Sequence, residues 1–275
     1  MLLGDLHYEN LAHHDFAWLE KKHPNDLGQI KNYSRLTAGI RPRLFVTLRE
    51  TITERNRTPA MHVAFVLQVG DLVEGLCGNE ELATRQNTEA LAFVREANLG
   101  VPFVFAKGNH AITGDGAPAA FANSFHPFLT EQARAITPAA DEIRSARYTV
   151  RTGTAEFAFF DAYDRESLDW FEAAVARRTA EHLFTIIYPP VVLNDARATS
   201  HQFSSEKDRP KRDKFLDLLG REHAIVLGGH IHRFNALARA TPRGRFAQFA
   251  VSSVIDATEP KPKTPLSGLA DYTGD

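Results

Sequence analysis

One cysteine, Cys77, stands in a chain of 275 residues. A lone thiol excludes an intrachain disulfide framework and any cysteine-built zinc site. It leaves the redox compartment open, since a disulfide-free protein can live anywhere. No apolar run reaches the roughly 18 residues a membrane-spanning helix needs. Neither sign of charge dominates: 32 basic face 34 acidic side chains, a formal charge of −2 that gives no reason to expect a polyanion partner. What the chain does have is length and histidine. A chain this long buries about 73% of its unfolded surface, enough for a large core without disulfides. Twelve histidines are present, and where they fall matters more than their number.

Met1 to Gly4 reads as an apolar strand, and Asp5, His7 and Glu9 follow at once, so no signal-peptide pattern is visible. A cytoplasmic location is the expectation if that start is native; a chain trimmed of a leader would read the same.

Strand-like runs at Met1–Gly4, His62–Val69, Val101–Ala106, Leu183–Tyr188 and Ala224–Leu227 are short and continuously apolar, which suits strands buried on both faces. Helical spacing lies between them. Pro42 is read as the first position of a helix over Arg43 to Arg55, and further helices are predicted at Glu80–Asn98, Ala117–Ala133, Glu166–Arg178 and Pro210–Leu219. Two hairpins are predicted, one around Thr152-Gly153-Thr154 and one around Thr241-Pro242-Arg243-Gly244. Together these predict an α/β, four-layer αββα sandwich: two mixed sheets flanked by helices, in a single domain over 1–275. The motif-bearing core covers about 1–255, and the proline-rich tail from about 258 to 275 reads as a surface strap or a fraying end.

Five of the strands end in unusual polar groups: Gly4-Asp5-Leu6-His7, Gly70-Asp71, Gly108-Asn109-His110, Tyr188-Pro189-Pro190 and Gly229-His230-Ile231-His232. In open α/β sheets ligands bind just beyond the carboxyl ends of strands, so groups far apart in sequence can converge there. Aspartate, asparagine and histidine oxygens and nitrogens suit divalent metals such as Mn, Fe, Zn or Ni. A carboxylate has two oxygens and can bridge two ions about 3.5–4 Å apart, the spacing used for hydrolytic attack on phosphorus.

The order Asp5-x-His7, Gly70-Asp71, Gly108-Asn109-His110, Gly229-His230-x-His232 resembles the calcineurin-like metallophosphoesterase superfamily, over roughly residues 1–255. The resemblance implies a double-sheet αββα fold and a centre of two divalent metal ions, Mn, Fe, Zn or Ni, whose bound hydroxide hydrolyses phosphomonoesters or phosphodiesters. It implies that Asp5, His7 and His232 hold the first ion and that Asp71 bridges. It places Asn109 and His230 on the second ion, with Asn109 also against substrate and His110 beside the leaving group.

Two positions depart from that pattern. Ala111 follows Gly108-Asn109-His110 where the family has Asp or Glu, which helps orient the histidine. Tyr188 stands where the family supplies another histidine to the second ion, and a phenol binds metal well only after losing a proton of pKa near 10. The second site is therefore expected to be weak. His201 lies where some purple-acid-phosphatase-like members contact phosphate, and is read either as a phosphate contact or as a replacement ligand.

Other residues have plainer readings. His13, His14 and Asp15 are expected on a solvated loop rim, Asp161 is expected to support ligands, and Cys77 is read as an inert thiol. Lys207, Arg209, Lys211, Arg212 and Lys214 alternate with acids and are read as a solvated helix face. The expected partner is a small phosphate-ester substrate. A nuclease is disfavoured by the absence of net positive charge. The rival reading is a binding or scaffold relative that keeps one metal or none, favoured by Tyr188 and Ala111.

Overall fold

Helical crossovers dictate the first sheet. Strands β1 (Leu2–Leu3), β2 (Val66–Gln68) and β3 (Phe103–Phe105) pair in the order β1-β2-β3, all parallel. Parallel neighbours need long connections. Here these carry α1 (Phe16–Lys22) and α2 (Leu27–Arg55) before β2, and α3 (Glu80–Glu96) before β3. After β3 comes α4 (Ala117–Ile136). The second sheet has six strands in the order β4-β5-β6-β7-β9-β8. They are β4 (Tyr148–Thr152), β5 (Ala155–Phe160), β6 (His182–Ile187), β7 (Ile225–Gly228), β8 (Asn235–Thr241) and β9 (Gly244–Ala250), with α5 (Ser167–Arg177) and α6 (Arg209–Arg221) between them. The β4–β5 and β8–β9 pairs are the two expected hairpins, both antiparallel, and β5, β6, β7 and β9 run parallel to one another. This computed structural model describes residues 1–191, 203 and 205–255; His201 and the tail from 258 lie outside the described residues.

The layers are those of the expected α/β sandwich, two sheets flanked by helices. One detail differs: of the two sheets expected to be mixed, the smaller is parallel through its three described strands, because each is reached by a helical crossover.

Side-chain alternation shows how the layers stack. Phe157 and Phe159 of β5, Phe184 and Ile186 of β6, and Ile225 and Leu227 of β7 face the larger core, which they share with Val66, Leu67 and Val104 of the first sheet. Their neighbours Ala158, Phe160, Leu183, Ile187 and Val226 face the second core, with Phe171 of α5 and Phe215 of α6. A period of two that is apolar on both faces is what a sheet covered on both sides requires. The Phe160 and Phe215 rings stack with centroids 4.3 Å apart.

The helix predicted from Arg43 is longer than expected. α2 begins at Leu27 and carries Pro42 within it, on its exposed side. Interior proline costs about 3 kcal/mol or more. Ile30, Tyr33, Thr37, Phe45, Leu48 and Ile52 form one buried stripe that continues through the proline. Each large apolar side chain so buried contributes about 1.5–3 kcal/mol, so the stripe outweighs the break.

Candidate metal centre

The motif residues gather beyond the carboxyl ends of five strands. Asp5 and His7 follow β1, Asp71 follows β2, Asn109 and His110 follow β3, Tyr188 follows β6, and His230 and His232 follow β7. The chain turns sharply at each place. Seven described residues other than glycine have positive φ, and four of them are His7 (44°), Asp71 (50°), His230 (74°) and His232 (54°). Side chains seldom adopt this left-handed backbone, and each instance stores of order 1–3 kcal/mol of strain, which accumulates at functional sites.

Asp5, His7 and Asp71 are fully buried, and His232 is half-buried. His7 Nε2 lies 3.0 Å from His232 Nε2 and 4.0 Å from both Asp5 Oδ2 and Asp71 Oδ2, while His232 Nε2 lies 3.3 Å from Asp5 Oδ2. Donors sharing one ion at bonds of about 2.0–2.2 Å can be at most about 4.4 Å apart. Two imidazole nitrogens and the Asp5 carboxylate thus face one position at separations suited to a single small cation, and Asp71 Oδ2 lies beside His7 at its edge.

Glu74, three residues after Asp71 and fully buried, organises the histidines, and the sequence reading missed it. Its Oε2 lies 2.7 Å from His7 Nδ1 and 3.4 Å from His110 Nδ1, Gln29 donates to its Oε1 at 2.9 Å, and its backbone oxygen lies 2.7 Å from His110 Nδ1. With Nδ1 donating to Glu74, the neutral His7 ring turns its Nε2 lone pair into the site. Burial works against a proton on His110, but Glu74 and then Asp71 outweigh it and push the His110 pKa up to about 9. Burial also favours a protonated Glu74, yet His110 and His7 hold its carboxyl below the ordinary range. Ala111, where an orienting acid was looked for, is simply buried. A signal was present: an acid in Gly70-Asp71-Leu72-Val73-Glu74, one short turn beyond a strand end.

Tyr188 is wholly buried, and its hydroxyl contacts both aspartates: it donates to Asp5 Oδ2 at 2.7 Å and lies against Asp71 Oδ2. Burial, then the two carboxylates, raises its pKa well above 10. The ring sits against Gly70, where a Cβ would run into it and φ is 136°, and beside Gly229, where a Cβ would run into Asp5 Oδ1. The His230 ring stands edge-on to it at 5.3 Å, and the His230 backbone N–H donates to Asp5 Oδ2 at 2.8 Å.

Whether these residues fit a cation can be judged from their own satisfaction. Three carboxylates, Asp5, Asp71 and Glu74, are buried together, and buried acids need positive partners. Asp5 Oδ1 and Asn109 Oδ1 are buried without a hydrogen-bond partner. Unpaired oxygens beside clustered imidazoles match the donor chemistry of divalent metals. Among the described residues, the groups of three or more such ligands that could share an ion are Asp5–His7–His232 and His7–Glu74–His110. Asn109 and His230 stand at the same strand ends, outside those groups.

The remaining candidates divide. His13 and His14 are buried, not solvated: His14 Nε2 lies 2.8 Å from Glu9 Oε1, and His13 Nε2 lies 3.0 Å from Glu89 Oε1. They pack the loop after β1 against α3, where burial follows from the carboxylates available. Asp15 is exposed and caps α1, accepting from the Trp18 N–H at 3.0 Å. Asp161 pairs with Lys107 and accepts from the Tyr163 N–H at 2.9 Å. Cys77 is buried, and burial raises its thiol pKa. Lys207, Arg209, Lys211 and Lys214 are exposed.

The family profile for calcineurin-like phosphoesterases matches residues 1–234, and the chain belongs to that family. Compared with curated proteins, the sequence has no match. Among solved structures, a dimetal phosphatase from Danio rerio is similar with a TM-score of 0.51 at 13% identity, over 94% of this chain and 88% of that one. A purple acid phosphatase from seeds of yellow lupin (Lupinus luteus) is similar with a TM-score of 0.46 at 15% identity, over 78% of this chain and 42% of that one. The chain thus spans less than half the length of the lupin relative. At such identities the likeness is one of fold. Among the described residues, no helix is long and apolar enough to cross a membrane.

Proposed function

We propose that this chain is a metal-dependent hydrolase of phosphomonoesters or phosphodiesters with a two-metal centre. The observation that carries the reading is the convergence of Asp5, His7 and His232 on one position, with Asp71 beside His7 and the unpaired oxygens of Asp5 and Asn109 at the same strand ends. Asp5, His7 and His232 would hold one ion, Asp71 would bridge, and Asn109 and His230 would hold the other. When bound, the ions would act as Lewis acids toward phosphoryl oxygens and lower the pKa of a water to about 7.

The chain's own groups supply the rest. Glu74 holds the His7 ring and its carboxylate favours a proton on the His110 imidazole, so that His110 can hydrogen-bond or protonate the departing oxygen. The Asn109 amide can donate to a phosphoryl oxygen. His201 keeps its proposed phosphate contact on the sequence pattern alone.

Metal-stripped protein reloaded in turn with Mn, Fe, Zn or Ni, and assayed on p-nitrophenyl phosphate and its bis ester, tests this reading. Metal-dependent release of p-nitrophenol is expected; no turnover with any of the four would overturn it. A second reading, a non-catalytic binding relative, is favoured by the Tyr188 hydroxyl held on both aspartates.

A further inference from the structure

We propose that Tyr188 makes the metal centre unequal, with one tight position built by Asp5, His7, Asp71 and His232 and one weak position whose completing donor has been replaced by a phenol turned toward the two aspartates. The inference rests on the metal-centre reading above and adds the order in which the positions fill.

The tight position has three side chains, Asp5, His7 and His232, already within 3.0–4.0 Å of one another, and the shared Asp71 reaches to 4.0 Å from His7. His7 in that set is fixed from behind by Glu74. The other position has Asp71, which is shared, Asn109, which offers a neutral amide oxygen, and His230. Tyr188 adds little there. Its hydroxyl is engaged as a donor to Asp5 Oδ2 at 2.7 Å and against Asp71 Oδ2, so it presents to a cation only a neutral oxygen. The ring is wholly buried and fills the space beside Gly70 and Gly229. The glycines leave the room the ring fills: a Cβ on Gly70 would collide with it, and one on Gly229 would meet Asp5 Oδ1 first and crowd the ring edge.

The test is a titration of full-length, metal-stripped protein with Mn²⁺ or Zn²⁺ alone, read as stoichiometry and affinity by calorimetry. Wild type should take one ion tightly and a second at least tenfold more weakly. Tyr188→His should tighten the second step by roughly 10–100-fold, the range typical of a gained or lost ligand-supporting interaction. Tyr188→Phe keeps the ring in its slot, so it serves even if the histidine variant folds poorly, and it should leave the second step as weak as in wild type. Two ions of equal affinity in wild type would overturn the inference. So would loss of the second ion in Tyr188→Phe, which would make the phenol a ligand. Binding of no ion at millimolar metal would overturn the inference and the metal-centre reading together. One tight ion without ester turnover would support the inference and remove only the proposed activity.

Discussion

Glu74 Oε2 lies 2.7 Å from His7 Nδ1, so one buried carboxylate decides which nitrogen of that ring faces the metal position. Glu74→Ala removes the support and should weaken the tight ion about 10–100-fold. Calorimetric titration with Zn²⁺ checks this; unchanged affinity would show that His7 is oriented by its other contacts.

The same carboxylate is the chief reason His110 titrates near 9 in the metal-free protein, and Glu74→Gln should return it toward the ordinary 6.5. Ring-proton NMR across pH 5–10 reads the shift. A histidine pKa raised in the folded state contributes stability that is complete below pH about 6.5 and is lost as pH rises through about 9. Metal-free wild type should therefore lose stability across that window, and His110→Ala should flatten the loss.

Removing His110 should separate binding from turnover. His110→Ala should retain its metal content and lose rate by roughly 10²–10⁴, the usual contribution of a positioned acid or base. Metal analysis beside the p-nitrophenyl phosphate assay distinguishes this outcome from a ligand role, in which the metal would leave as well.

Asp71 turns Oδ2 toward His7 and accepts the His110 N–H at 2.9 Å through Oδ1, and the proposed reading has it bridge the two ions. Asp71→Asn should abolish uptake of a second ion and any hydrolysis of either p-nitrophenyl ester. Full activity in this variant would contradict a bridging carboxylate.

Away from the centre, Arg178 and Glu222 form a largely buried pair at 2.7 Å that ties the end of α5 to the end of α6. Burial alone would raise the Glu222 pKa, but Arg178 and then Arg221 pull it below the ordinary value. Stability from a lowered carboxyl pKa is present above pH about 4.3 and is lost as pH falls through the folded value. Glu222→Gln should therefore lower stability at neutral pH, by about 1–3 kcal/mol for one charged hydrogen bond removed. Urea melts at pH 7 and pH 3 should show the difference shrinking in acid.

Much of this was legible in sequence because strand ends announce themselves. An apolar run closed by glycine and then Asp or His marks both the backbone turn and the side chain that follows it, and Asp5, His7, Asp71, Asn109, His110, His230 and His232 were found that way. The course of α2 was misread because Pro42 is a local signal, while the stripe from Ile30 to Ile52 is a tertiary one. Glu74 and the burial of His13 and His14 were missed for a related reason. Which carboxylate meets which imidazole depends on how the loops after β1 and β2 pack together, and no spacing within one segment encodes that. Tyr188 was noticed as a departure, but that its hydroxyl reaches both aspartates follows from the glycine slot around its ring.

His7 and His232, whose Nε2 atoms lie 3.0 Å apart, are separated by 225 positions along the chain. During synthesis Asp5 and His7 emerge well before His232, which follows the first sheet and four of the six strands of the second. If these residues hold an ion as proposed, its capture comes late in synthesis, and such distant closure is slow as well. A fragment ending before residue 232 would present Asp5, His7 and Asp71 without that imidazole, so under the proposed reading a tightly held ion reports that the chain from β1 through β7 has come together.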